Sequence, residues 1–120
     1  MPSNRKRTPS TSSLGASAER KVRRYYRLRG YRVLEANARG GGNELDIVLR
    51  RGRRLVFSEV KARGGDGYGD PLEAIGPEKV RRVRRAAESW LVRHPELAEL
   101  DVAFEAVAVR RGRIERTAFS

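Results

Sequence analysis

The feature that most constrains the fold is a pair of apolar runs joined by a short basic turn, within residues 43–63. Both runs are rich in β-branched and other apolar residues, and Gly52 lies between them, which is typical of a β-hairpin. If Gly52 and Arg53 form a two-residue turn, Arg51 pairs with Arg54. The length of the turn therefore fixes which side chains face each other across the two strands.

Acidic residues occupy fixed places within this apolar pattern. Because side chains alternate between the faces of a strand, Glu44 and Asp46 share one face. The other face is expected to carry Leu45, Ile47 and Leu49. The two-residue turn places Asp46 opposite Glu59, with Cβ atoms roughly 5 Å apart. Carboxylates that close repel unless a proton or a divalent cation lies between them, whereas a three-residue turn would put them on opposite faces.

These residues can be combined into a site for metal-dependent phosphodiester hydrolysis. Asp46, Glu59 and the backbone carbonyl of Val60 would offer hard oxygen ligands, which suit Mg²⁺ or Mn²⁺ rather than zinc. Lys61 shares a face with Glu59, about 6.6 Å farther along the strand, and could stabilise charge on a phosphoryl oxygen. Glu19 would join as a ligand of water or of a second metal if the first helix packs alongside.

The non-functional interpretation of Glu59 and Lys61 is an exposed ion pair, since a Glu-x-Lys spacing on a strand is common. Three features favour the site: the strand is otherwise apolar, a carboxylate faces it, and the rest of the protein is strongly basic. The chain has 27 Lys and Arg against 15 Asp and Glu, a net charge of +12. Such a chain attracts polyanions, and nucleic acid is the first candidate because clustered arginines release counterions from phosphates.

A membrane surface is the second candidate for a basic protein, but the sequence argues against it. It contains no lipidation signal, no amphipathic helix with a bulky aromatic face and no apolar stretch long enough to span a bilayer. It also has no cysteine, which excludes disulfides and Cys-ligated zinc. We expect a protein without a membrane partner.

The remaining elements follow from hydrophobic periodicity. Residues 1–13 are expected to be a disordered basic arm, either a solvated tail, an added phosphate contact or a short transit peptide. Residues 14–120 would form a single domain. It would begin with a helix over 14–29, with an apolar stripe formed by Leu14, Ala18, Val22, Tyr25 and Leu28.

After this helix we expect a strand over 31–37, the hairpin, a second helix over 77–93 and strands over 102–109 and 114–119. The buried stripe of the second helix would contain Val80, Val83, Ala87, Trp90 and Leu91. This order predicts an α/β domain with a mixed central sheet flanked by helices. The second hairpin strand, the second helix and the 102–109 strand would form a right-handed crossover.

Several basic residues and one tyrosine are candidates for nucleic-acid contacts. The Gly-rich segment 64–71 is either a flexible connector or a functional loop, that is, a lid or a phosphate-contacting loop with Tyr68 available to stack on a base or sugar. The basic side of the second helix is either its solvent-exposed face or a surface for phosphates. The candidates are Arg39, Arg63, Tyr68, Lys79, Arg81, Arg82 and Arg85.

The run from Asn43 to Arg63 resembles the signature of the bacterial YraN-like proteins, the UPF0102 family, which is similar to the Holliday-junction resolvase and PD-(D/E)xK nuclease superfamily. Its most specific parts are Glu44-x-Asp46 and Glu59-Val60-Lys61-x-Arg63. Further matching positions are Glu19, Gly30, Tyr31, Asn37, Arg39, Val56, Phe57, Gly69, Lys79, Ala87, Leu91, Ala118 and Phe119. The departures are Asn43, Leu45, Ser58, Ala103 and Glu105.

The resemblance implies a restriction-endonuclease-like αβββαβ core. It also implies Asp46 and Glu59 as metal ligands, Lys61 as the catalytic lysine and Glu19 as the acid of the first helix. We therefore expect a Mg²⁺-dependent endonuclease acting on DNA, in particular on branched or damaged DNA. A cytoplasmic bacterial protein is expected, with association with the nucleoid as an option. The alternative is a non-catalytic nucleic-acid-binding or accessory protein in DNA processing. A homodimer would suit a junction with two scissile strands.

Overall fold

A computed structural model describes residues 11–40, 43–63 and 76–119, which form two α-helices and a five-stranded sheet. The helices are α1 (Thr11–Arg27) and α2 (Pro77–Val92), and a 3-10 turn covers Pro95–Leu97. The strands are β1 (Arg32–Gly40), β2 (Asn43–Arg51), β3 (Arg54–Arg63), β4 (Asp101–Arg110) and β5 (Arg113–Phe119). They lie side by side in the order β1-β2-β3-β4-β5, with β3 and β4 parallel and the other neighbours antiparallel. The predicted α/β class and mixed sheet are confirmed.

Helix α1 begins at Thr11, three residues before its predicted start, and residues 1–10 of the proposed arm lie outside the described residues. Its buried stripe is Ala18, Val22 and Tyr26, at steps of four residues. The prediction was wrong for Leu28, whose side chain is 73% exposed because the helix ends at Arg27. Tyr25 is only half-buried, since Tyr26 takes the inward position.

The β2–β3 hairpin has the predicted two-residue turn. Arg51 pairs with Arg54, and the ladder continues to Ile47 opposite Ser58. Gly52 has a φ of +60°, a left-handed conformation that glycine adopts without steric cost. The two-residue turn therefore gives the strand pairing that places Asp46 and Glu59 on one face, as the proposed acidic site requires.

Two hydrophobic cores lie on opposite faces of the sheet. The α2-side core is built around Trp90, Phe57 and Leu55, and the α1-side core around Tyr26, Val56 and other apolar residues. On α2 the buried residues are Val83, Ala86, Ala87 and Trp90, while the predicted Val80 and Leu91 are half-buried. Strand β4 is interior, as predicted, because β3 and β5 pair with its two edges.

The expectation that Leu45 shares a face with Ile47 and Leu49 was wrong. Leu45 packs with Ala38 in the α2-side core, whereas Ile47 and Leu49 pack in the α1-side core. Asn37, on the neighbouring strand, has a φ of +56° at the level of this change. The change of face in β2 thus lies beside a left-handed residue of β1, where regular strand geometry is interrupted.

None of the described helices is long and apolar enough to cross a bilayer.

Candidate functional site

The hairpin brings Asp46 and Glu59 together at the end of its paired ladder. Because Ile47 lies opposite Ser58, the next position on each strand places Asp46 beside Glu59. The Val60 backbone N–H donates a hydrogen bond of 2.8 Å to Oδ2 of Asp46, which holds this carboxylate against β3. Both acids line a cavity of about 240 Å³ beneath α2, which we call the acidic cavity. Its other lining residues are Glu44, Lys79, Arg82 and Val83.

Glu59 is the most buried member of the site, with only 2% of its surface exposed. Its Oε1 lies 3.2 Å from Nζ of Lys79, in an ion pair with the first turn of α2. Its Oε2 is buried and has no hydrogen-bond partner among the described residues. An unsatisfied buried carboxylate oxygen is costly, so this atom marks a place where a proton or cation would be bound.

The pKa of Glu59 is raised to about 7, first by burial and then by the negative charge of Asp46. Lys79 lowers the pKa but does not offset these two effects. Burial also raises the pKa of Asp46, against the opposing hydrogen bond from Val60 and the charges of Lys79 and Lys61. Two acids with raised pKa values in one cavity are typical of sites that bind a proton or a metal.

Lys61 and Glu19, predicted from the sequence as catalytic residues, both lie near this pair. Lys61 is half-buried, and its charge lowers the pKa of Asp46. The pKa of Glu19 is raised by its partial burial and then by the negative charge of Asp46, while a hydrogen bond with Asn37 opposes the rise. Glu19 therefore approaches Asp46 from α1, while Lys79 approaches Glu59 from α2.

The donor set matches a hard divalent cation only in part. Within residues 11–40, 43–63 and 76–119, no three His, Cys, Asp or Glu side chains form a ready metal-binding cluster. Asp46 and Glu59 remain as the two close carboxylates, and Oε2 of Glu59 has a lone pair that no described group uses. A cation that keeps several waters, as Mg²⁺ does, requires only one or two protein carboxylates, so the pair fits such an ion.

The basic residues predicted to contact nucleic acid differ in whether they line the cavity that contains Asp46 and Glu59. Lys79 and Arg82, three residues apart on α2, line the acidic cavity. Arg81 and Arg85 are exposed and do not line it. The side chains of Arg39 and Arg63, and the whole of Tyr68, lie outside the described residues.

The sequence pattern left two features of the site unassigned. It assigned Lys79 only to nucleic-acid binding, whereas the structure pairs it with Glu59. It gave no role to Glu44, which is exposed at the rim of the cavity. The position of Lys79 in the first turn of the helix that follows β3 was the available signal for its pairing.

A second buried polar cluster lies on the α1 side of β3, next to the site in sequence. The Tyr26 hydroxyl donates a 2.6 Å hydrogen bond to Oε1 of Glu105 and lies 3.1 Å from Oγ of Ser58. Nη2 of Arg54 donates to Oε2 of Glu105 at 2.8 Å, and Nε of Arg116 lies 3.7 Å from Oε1. Both Glu105 oxygens are therefore satisfied, and burial raises the pKa of Tyr26 so that it stays a donor.

Comparison with known proteins supports the family resemblance. The family model described as "Uncharacterised protein family UPF0102" matches residues 18–109 of this chain. A UPF0102 protein of Syntrophotalea carbinolica is 42% identical over 99 residues, covering 82% of this chain and 80% of the relative. One from Synechococcus sp. is 39% identical over 107 residues, with coverages of 88% and 81%. A third, from Parvibaculum lavamentivorans, is 42% identical over 110 residues, with coverages of 88% and 80%.

Proposed function

The chain belongs to the UPF0102 family, and we propose that it is a metal-dependent nuclease that hydrolyses phosphodiester bonds in DNA. The observation that carries the proposal is the buried, unpartnered Oε2 of Glu59 beside Asp46. A protein core that needed these positions only for stability would gain by replacing them with apolar residues. Their presence under Lys79 and Arg82 favours a site for a cation and a phosphate.

Asp46 and Glu59 would hold the cation, with the backbone carbonyl of Val60 as a third ligand. The Val60 N–H faces Asp46, and the N–H and C=O of one residue face the same neighbour in an antiparallel pair. The carbonyl is thus expected on the side of the carboxylates. When bound, Mg²⁺ or Mn²⁺ would acidify a water and polarise a phosphoryl oxygen.

The other residues of the site would position the substrate and stabilise developing charge. Lys61 lies near Asp46 and would place an ammonium beside the phosphoryl oxygens. Arg82 would hold a phosphate at the mouth of the cavity, where its guanidinium can offer two hydrogen bonds. Glu19 would orient a water from the α1 side.

The charge of the chain supports a nucleic acid as substrate, because a net charge of +12 favours binding to a polyanion. DNA with branches or damage is the proposed substrate. A homodimer would allow two strands of a junction to be cut by two identical sites. Sedimentation of the protein with and without a four-way junction measures this assembly.

The decisive experiment measures cleavage of supercoiled and branched DNA with Mg²⁺, Mn²⁺ or EDTA. We expect cleavage that requires the metal and falls about 100-fold or more in Asp46→Ala and Lys61→Ala, while DNA binding persists. Asp101→Ala, which removes an exposed acid of β4, is the matched control and should cut normally. Equal activity of wild type and Asp46→Ala would show a contaminating nuclease and refute the proposal.

One observation favours a second candidate function, a non-catalytic DNA-binding or accessory protein. Glu59 is already paired with Lys79 at 3.2 Å, which is how a structural carboxylate would be held. Wild-type protein that binds DNA but cuts no substrate with either metal would establish the binding protein. Weak, salt-insensitive DNA binding would instead favour an accessory role through a protein partner.

A further inference from the structure

A second surface, whose charged residues are all basic, lies between the end of α1 and the β4–β5 turn. It is a groove of about 300 Å³ whose lining includes Lys21, Arg24, Arg29, Tyr25 and Leu28, with Gly112 of the turn opposite. Every charged residue in the lining is basic. A second cavity, of about 240 Å³, lies at the same turn and is lined by Arg110, Arg111, Arg113 and Glu115.

The cations of the groove are spaced along α1 and just beyond it. Lys21 and Arg24 are one turn apart on α1, about 4.5 Å along its axis at 1.5 Å per residue. Arg29 lies beyond the end of the helix, and its guanidinium folds back onto the Tyr25 ring. One strand of a nucleic acid presents a phosphate about every 3.4 Å along a helix axis, so neighbouring phosphates can contact Lys21 and Arg24. The spacing therefore suits a polyanion rather than a single small anion.

The groove also offers apolar and planar surface beside these charges. Leu28 is 73% exposed, although it is a large apolar residue. Cζ of Arg29 lies 3.6 Å from the centre of the Tyr25 ring, and its Nη1 donates to the Tyr25 carbonyl at 3.1 Å. This stacked guanidinium is thus held in place, and guanidinium planes and apolar side chains are surfaces on which unpaired bases stack.

We propose that this groove binds a single-stranded segment of nucleic acid, with phosphates on Lys21 and Arg24 and bases against Leu28 and the Arg29 guanidinium plane. An acidic peptide would match the charge but leave the stacked Arg29–Tyr25 pair unused. A membrane would require several bulky apolar residues on a protruding face, whereas Leu28 is the one strongly exposed large apolar residue of this lining.

The groove is separate from the acidic cavity. Glu19 approaches Asp46 and Asn37 from one flank of α1, whereas Tyr25 on the other flank faces Arg116 of β5. Strands β2 and β5 are three strands apart in the sheet, about 14 Å at the usual spacing. Binding here needs no metal and no residue of the proposed hydrolytic site, so it can be tested whether or not the protein cleaves DNA.

The test measures binding of the full chain to a fluorescent oligothymidylate of about 15 nucleotides in EDTA, by anisotropy at several salt concentrations. Lys21→Glu/Arg24→Glu should weaken binding about tenfold or more and reduce the salt slope by about two. The matched control, Arg20→Glu/Arg27→Glu, makes the same charge change at exposed positions of the same helix that do not line the groove. It should weaken binding less than about threefold.

A third variant, Leu28→Ser, tests the apolar part of the groove. It should weaken oligothymidylate binding about fivefold, with an unchanged salt slope and unchanged binding of a duplex. An unchanged melting temperature would show that this exposed substitution leaves the fold intact.

Three outcomes would overturn the proposal. Equal losses in the groove and control pairs would assign binding to net charge alone. An unchanged oligothymidylate affinity in Leu28→Ser would exclude contact with bases. Tight binding to anionic phospholipid vesicles that displaces the oligonucleotide and depends on the same residues would identify a membrane surface instead.

Discussion

Ser58 and Glu59 are consecutive residues of β3, yet they belong to two buried polar clusters of different character. Ser58 faces α1 and joins Tyr26, Glu105 and Arg54 in a network in which both carboxylate oxygens are bonded. Glu59 faces α2, where one carboxylate oxygen is paired with Lys79 and the other has no partner in the described part of the chain. The same strand thus carries a satisfied and an unsatisfied carboxylate on its two sides.

The difference separates a carboxylate held on both oxygens by a bonded network from one with an oxygen left open to a proton or cation. A fully bonded buried network adds rigidity and is lost at a large cost when one member is removed. Two close acids whose pKa values are raised by burial destabilise the fold instead, and such groups are retained where they bind a proton, a metal or a substrate. The contrast gives four predictions.

The largest change in stability is expected for the fully bonded cluster around Glu105. Glu105→Ala removes the acceptor of both Tyr26 and Arg54, so the free energy of unfolding should fall by about 3 kcal/mol. Urea denaturation measures this change. Asp101→Ala, which breaks the exposed pair with Arg53, should cost less than about 0.5 kcal/mol. Similar losses in both variants would show that the network adds no more than a surface ion pair.

Glu59→Gln should change the free energy of unfolding in the opposite direction. It removes a buried charge and its repulsion with Asp46, so we expect the free energy of unfolding at pH 8 without metal to rise by about 2 kcal/mol. Glu88→Gln, at an exposed site on the same helix as Lys79, is the control and should change stability little. Destabilisation by Glu59→Gln would mean that the Lys79 ion pair outweighs the burial cost, and the contrast between the two clusters would disappear.

The raised pKa of Glu59 also predicts how stability depends on pH. Between its ordinary value of 4.5 and about 7, the folded protein binds a proton that the unfolded chain has released. Metal-free wild type should therefore lose about 1.4 kcal/mol of stability per pH unit within this range, a loss that Glu59→Gln should largely lack. Parallel denaturation series in EDTA would measure both slopes, and identical slopes would refute the assignment.

The smallest effect is expected for Ser58→Ala. It removes one hydrogen bond to Tyr26, whose hydroxyl keeps Glu105 as its acceptor, so the cost should be about 1 kcal/mol. Because Ser58 faces away from the acidic cavity, any metal-dependent cleavage should stay within about threefold of wild type. A large loss of cleavage without a loss of stability would show that the two faces of β3 are coupled.

Much of this arrangement could be predicted from local rules. The two-residue turn at Gly52 set the parity of the hairpin, and parity placed Asp46 beside Glu59. The αβββαβ order and the membership of the UPF0102 family also followed from sequence patterns. Strict alternation failed at Leu45, which lies beside the left-handed Asn37 of the neighbouring strand, and a single strand pattern contains no information about its neighbour.

The sequence by itself determined which residues form helices and strands and which pairs meet within the hairpin, because turn length and side-chain periodicity act over a few residues. Only the tertiary structure decided that Lys79 pairs with Glu59, that Tyr26 bonds Glu105 and that Leu28 is exposed at a basic groove. These contacts join residues 20 to 79 positions apart, or depend on where a helix ends. They are fixed by the way each helix packs on its face of the sheet, where burial and desolvation act on groups that no local pattern brings together.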